Sequence, residues 1–354
     1  MANALRFGIA GLGRGMVQAR NAAESEGAEL AAVCDIWEER AQTAVEELGC
    51  EWIRDFDEML DRDDIDVIGV FTPSGMHGTM CEQALRAGKH AFCTKPMDIR
   101  VEACDRVIQA AEDEDLVFAV SFGSRYNPIN HRIRDAVQSG ALGKPIIGDL
   151  RMKWYRAQNY YDGGMPEGWR SRRETEGGSL ANQAVHYLDL LQWWMGSVES
   201  VTGKKGTFAH NIETEDTSSA ILNFESGAIG SVLTTTCSFP NLGTWIEITG
   251  AAGTLSWKDQ KITRFTVAGG SDEWDGDDPE YVFPEHATTP EEVEREISEF
   301  SAPDDLPANA VEDMVRAINE GTPVVCDGYE GRKTVRIIEA VYESSQTGET
   351  VSVE

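Results

Sequence analysis

The first third of the chain repeats one unit: a short, continuous apolar run followed by a stretch with helical spacing. Residues 5–10, 30–34, 67–71, 90–93 and 117–122 are such runs, and a shorter one lies at 51–53. A strand covered on both faces has no polar side to display, so continuous runs predict a parallel sheet with helices above and below. Between the runs, residues 78–87 form one predicted helix. Residues 101–112 form another, with Val101, Ala103, Val107, Ile108 and Ala111 as its apolar positions. The expectation is a doubly wound α/β domain over residues 1–122.

Past residue 122 the apolar positions alternate and the strands lengthen: 146–155, 198–205, 217–224, 228–238 and 245–249. Glu225-Ser226-Gly227, between two of them, reads as a hairpin turn. One helix, 179–195, sits among these strands. Helices at 307–319 and 329–347 close the chain and are expected to pack on one or both domains. Residues 123–354 therefore predict an α+β domain built on an antiparallel or mixed sheet.

Composition narrows the picture. A length of 354 residues suits two domains. No apolar stretch reaches the roughly 18 residues that would suggest a membrane span. The N-terminus enters the first strand without the regions of a signal peptide. The seven cysteines (34, 50, 81, 93, 104, 237 and 326) are scattered and include no CxxC pair. They predict reduced thiols in a cytoplasmic protein, with no metal centre. Acids outnumber bases 61 to 31, giving a net charge of −30, and 22 of the bases are arginine against 9 lysine. Such a surface repels nucleic acid and anionic membranes. It also repels itself unless salt shortens the Debye length, to about 3 Å near 1 M, so a halophilic source is expected. The acidic run 272–280 has no regular ligand spacing and reads as a solvated loop.

The chemistry begins at Gly11-Leu12-Gly13-Arg14-Gly15-Met16, between the first strand and a helix. Glycines there let a pyrophosphate approach the helix N-terminus, where free N–H groups and the dipole favour negative charge. Met16 departs from the pattern, since a third small residue is usual at its position. Asp35 follows about twenty residues later, placed to accept hydrogen bonds from an adenosine ribose. It favours NAD, because a carboxylate repels a 2′-phosphate; Ile36 adds no positive charge, and Arg40 keeps NADP open. Thr72, Pro73 and His77 follow the 67–71 strand, and Thr94 and Lys95 end the next. All five are expected to line the cofactor cleft, His77 serving either there or as a plain helix cap. A lysine at the end of a buried strand is unusual, since isolated charge burial is costly.

The stretches GIAGLGRG, AAVCD, VFTPSGMH, AGKHAFCTKPM, SRYNP, GGSLANQAVHYLDLLQWWMG and ETEDTSSAILNFESGAIGSV span nearly the whole chain. Together they resemble the Gfo/Idh/MocA (glucose–fructose oxidoreductase/inositol dehydrogenase) family. The resemblance implies a Rossmann domain followed by an open-faced sheet domain that holds substrate and pairs subunits as a dimer or tetramer. It also implies NAD(P)-linked oxidation or reduction of a sugar, polyol or sugar derivative. The catalytic lysine of a Glu-Lys-Pro motif falls on Lys95, while the glutamate is Thr94. Asn182, His186 and Asp189, at i, i+4 and i+7 of the predicted helix, would form one polar stripe. Asn182 stands where many relatives carry aspartate, so it is expected to bind a hydroxyl without exchanging protons. His186, with a reference pKa of roughly 6.5, would accept the hydroxyl proton. Lys95, at roughly 10.4, would oppose the charge developing on that oxygen. Trp169 and Arg170 resemble a pair that some members place near the cofactor, and Arg125 and Tyr155 are candidates to shape the sugar site. Two other classes stay open: an NAD-dependent glycoside hydrolase of the same fold, and a non-catalytic NAD-binding regulator.

Overall fold

The computed structural model describes residues 4–267 and 289–353, so the acidic run 272–280 lies outside the described residues. The first sheet contains β1 (Leu5–Ala10), β2 (Ala28–Cys34), β3 (Glu51–Ile53), β4 (Val67–Val70), β5 (His90–Thr94) and β6 (Phe118–Ser121). All six strands run parallel, in the order β3-β2-β1-β4-β5-β6. The continuous apolar runs are buried as expected: Phe7, Ile9, Val67, Val70 and Phe92 are fully covered. The order reverses between β1 and β4, which opens a crevice beyond the carboxyl ends of the strands. Gly11, Asp35, Thr72 and Lys95 all follow strand ends on that side.

The second sheet has eight strands. They are β7 (Pro145–Lys153), β8 (Val198–Gly206), β9 (Thr217–Phe224), β10 (Ile229–Thr235), β11 (Gly243–Gly250), β12 (Gly253–Lys258), β13 (Lys261–Val267) and β14 (Val351–Ser352). Their order is β13-β12-β11-β7-β10-β9-β8-β14, and every pairing except β7 with β10 is antiparallel. Helices cover one face. Leu191 and Met195 of helix Val185–Met195 press on Gly148, and Val341 of helix Gly328–Thr347 presses on Gly203. The other face is open and carries Ile221 and Ile229, each about half exposed.

Several boundaries differ from expectation. The predicted helix 179–195 starts as a π turn, Ser179–Ala184, before the α-helix. Helix Pro128–Gln138, capped by the Asn127 side chain on the Ile129 N–H, was not anticipated, nor were β12, β13 and β14. The closing helices serve both domains. Val311 and Met314 of helix Ala310–Glu320 join the core around Phe7, while Gly331 of the last helix lies against Val120 of β6.

Candidate active site

The glycine turn fits a dinucleotide on steric grounds. Gly11 has φ +85°, and a Cβ there would lie 2.6 Å from the Phe71 carbonyl atoms, so both conformation and space demand glycine. Helix Leu12–Glu24 starts at once, and its first-turn N–H groups have no intrahelical partners. Leu12 donates its N–H to Asp35 at 2.7 Å and buries its side chain in the core. Gly15 supplies the close helix–strand approach, since a Cβ would sit 3.0 Å from Phe71 Cβ and 3.2 Å from Ile9. Met16 turns its side chain towards the same core, so its departure from the glycine pattern costs the cofactor face nothing. Asp35 also accepts from the Trp37 N–H at 2.8 Å, and Arg40 lies 3.5 Å from its carboxylate with the guanidinium over the Trp37 ring. Ile36 beside it is exposed.

Across the crevice, the half-buried Lys95 follows Thr94 at the end of β5 and donates from Nζ to the Asn182 carbonyl at 2.8 Å. That carbonyl belongs to the π turn, and His186 lies one helical turn further on. The imidazole of His186 makes no hydrogen bond among the described residues. Burial, with the Lys95 and Arg14 charges, holds it well below the usual histidine range, so it is neutral at pH 7. Burial also draws Lys95 down to about 8, with Glu176 acting in the opposite direction and Arg14 adding to the fall. An unprotonated base and an ammonium thus share one cleft.

Glu176 escaped the sequence reading because it stands just ahead of the stretch that begins at Gly177, where nothing local marks a loop carboxylate as buried. It is 3 % exposed, and burial pushes its carboxyl up against the opposing pull of the Ser74 hydroxyl, Lys95, the Gly177 N–H and Arg170. The two domains touch here, where Gly75 donates its N–H to the Thr175 carbonyl at 3.1 Å. The π turn itself is pinned by Glu215, which accepts from the Leu180 N–H at 2.8 Å and the Tyr342 hydroxyl at 2.9 Å. Asn182 Oδ1 accepts from Gln183 Nε2 at 2.8 Å, and its Nδ2 has no partner among the described residues.

Other expected site residues turn out differently. Both nitrogens of His77 lie 2.8 Å from carbonyls, those of Thr72 and Pro96, and the ring is 1 % exposed. It ties the loop of Thr72 and Pro73 to the loop of Lys95 and has no nitrogen left for cofactor. Arg125 does not reach a sugar: its guanidinium is buried, paired with both Asp189 oxygens at 2.9 and 2.7 Å and with Glu330 at 3.0 Å. That pairing turns Asp189 away, so the predicted stripe keeps only Asn182 and His186. Tyr155 falls on the open face of the sheet, edge-on to the exposed Phe239, because strand parity sends it opposite to Trp154. Trp169 and Arg170 stack on each other at 4.4 Å, with Arg170 also near Glu176. His210, Asp216 and Cys237 lie within 4.8 Å of one another. Asp216 is already engaged by the Phe208, Ala209 and His210 N–H groups, which suits an anchor for the 208–210 turn better than a metal ligand. All seven cysteines are unpaired.

Residues 5–122 match the family model "Oxidoreductase family, NAD-binding Rossmann fold", and 134–353 match "Oxidoreductase family, C-terminal alpha/beta domain". The chain belongs to the Gfo/Idh/MocA oxidoreductase family. Among solved members, the WlbA dehydrogenase from Chromobacterium violaceum, in complex with NADH and UDP-GlcNAcA, is similar at 30% identity and a TM-score of 0.85. The match covers 99% of this chain and 96% of that one. The scyllo-inositol 2-dehydrogenase (NAD(+)) of Bacillus subtilis is 27% identical over 282 residues, 77% of this chain and 80% of the relative. The D-apiose dehydrogenase of Paraburkholderia graminis is 25% identical over 336 residues, 93% and 84% of the two chains. As a Gfo/Idh/MocA member, this protein is an oxidoreductase with an NAD-binding Rossmann domain. Among the described residues, no helix is long and apolar enough to cross a membrane.

Proposed function

We propose that this oxidoreductase acts on a hydroxyl or carbonyl carbon of a sugar, polyol or sugar derivative, with Lys95 and His186 as its catalytic pair. The observation that carries the reading is the His186 imidazole, which makes no hydrogen bond among the described residues, one helical turn from the carbonyl that accepts from Lys95 Nζ. Bound NAD would accept hydride from the carbon. A ring nitrogen of His186 takes the hydroxyl proton, Lys95 Nζ donates to the same oxygen and opposes its growing charge, and Asn182 Nδ2 orients a neighbouring hydroxyl. Gly13, Arg14 and Asp35 would hold the dinucleotide, with Asp35 favouring NAD over NADP. The relatives' names place inositols, apiose and UDP-GlcNAcA among the classes to try.

The test is absorbance at 340 nm with NAD or NADP crossed against those classes, followed by a pH profile. NADH formation is expected to fall as pH rises through about 8, where Lys95 loses its proton. It should also fall at pH well below 6.5, where His186 gains one. Glu176→Gln removes the carboxylate that favours the Lys95 ammonium, so the alkaline limb should move to lower pH. A limb that stays in place, or moves up, would count against this role for Glu176.

The same reading extends to assembly and setting. The open sheet face, with Tyr155, Ile221, Ile229, Phe239 and Leu242 exposed, supports a homo-oligomer. Unpaired cysteines fit a reducing, cytoplasmic setting. The −30 charge supports activity in high salt, so assays belong there.

A further inference from the structure

Acids outnumber bases 61 to 31 in this chain, yet several arginines have no carboxylate within ion-pair distance among the described residues. Two such arginines lie over one aromatic ring beside the active site. The guanidinium of Arg156 is 5.4 Å from the Tyr160 ring centroid and that of Arg170 is 4.9 Å from it. Neither has a carboxylate within ion-pair distance among the described residues.

Both are held firmly. Arg156 lies over Trp154 at 5.0 Å, donates to Gln183 Oε1 at 2.8 Å and to the Tyr155 carbonyl at 3.0 Å. Its own carbonyl is 2.8 Å from His210 Nε2. Arg170 stacks on Trp169. Gln183 then links the pair to the reacting centre, because its Nε2 donates to the Tyr160 hydroxyl and to Asn182 Oδ1, each at 2.8 Å. Two guanidinium groups gathered around one ring, with no carboxylate at ion-pair distance among the described residues, form a local positive patch that an anion would complement. The overall field of a −30 chain would turn an anion away, so a local positive cluster is needed to receive one here.

We infer that Arg156, seconded by Arg170, forms an anion subsite, and that the preferred substrate is a sugar bearing a carboxylate or phosphate rather than a neutral polyol. This rests on the dehydrogenase reading above and assigns the charge class of its substrate. Arg156 would hold the anionic group while Asn182 and His186 face the hydroxyl that reacts.

Matched pairs in high salt test it, with NADH formation followed at 340 nm: D-glucuronate against D-glucose, glucose 6-phosphate against glucose, and UDP-GlcNAcA against UDP-GlcNAc. The first and third pairs isolate a carboxylate, the second a phosphate. In at least one pair, kcat/KM should favour the member with the added anion by about 10- to 100-fold, the worth of a charge-assisted contact. Arg156→Met should remove most of that preference through KM, with Arg156→Lys recovering part and NAD affinity unmoved. NADH binding by fluorescence confirms that each variant is folded.

Equal or better turnover, in every pair, of the member lacking the added anion would overturn the inference and leave the dehydrogenase reading standing. An effect of Arg156→Met or Arg170→Ala confined to NAD affinity would overturn it too, by assigning the cluster to the cofactor pyrophosphate. If no compound yields NADH, the dehydrogenase reading is in question. Displacement titrations of the NADH-loaded protein with the same pairs then decide the subsite, equal affinity of the members with and without the added anion counting against it.

Discussion

Replacing Lys95 with alanine is expected to lower kcat by about 1,000-fold, close to 4 kcal/mol of barrier. In the proposed reaction the side chain opposes the charge growing on the reacting oxygen, and its Nζ also fixes the first domain to the Asn182 carbonyl of the second. Arginine should not restore the rate, because a planar fork cannot replace a compact ammonium that donates along one line. A Lys95→Ala enzyme within tenfold of wild-type kcat on its substrate would remove this residue from the chemistry.

Arg125→Ala should act on stability. It would leave the Asp189 carboxylate buried without its bidentate partner, and breaking a buried pair from one side costs about 3–5 kcal/mol. In a chain of this size the melting temperature should drop by about 4–7 °C. The guanidinium also lies 4.9 Å over the Trp193 ring, so packing is lost with the charge. Circular dichroism during heating reads the effect. An unchanged melting temperature with a raised KM would instead return Arg125 to the sugar site.

The fold was legible because burial on both faces writes itself into a strand as an unbroken apolar run; β1, β4, β5 and β6 each show it. The glycine turn and Asp35 were legible for a similar reason, since local sterics around Gly11 admit no other residue. What the sequence hid depends on contacts between distant segments. Arg125 meets Asp189 and Glu330, 64 and 205 positions away, and nothing local marks it as structural. His77 looks like a loop histidine until the Thr72 and Pro96 carbonyls are seen to enclose it. Asp189 has the right helical spacing, but the π turn before it and the pull of Arg125 take it off the stripe. Glu176 becomes conspicuous only when the Ser74 loop of the other domain closes over it.

The most direct test of the central claim is His186→Asn, measured for NADH affinity and for turnover in one preparation. The side chain stays polar and similar in size while losing a nitrogen that can take a proton. The account predicts an unchanged NADH dissociation constant and a fall in kcat of at least about 100-fold. Turnover close to wild type, with the cofactor bound as before, would contradict it.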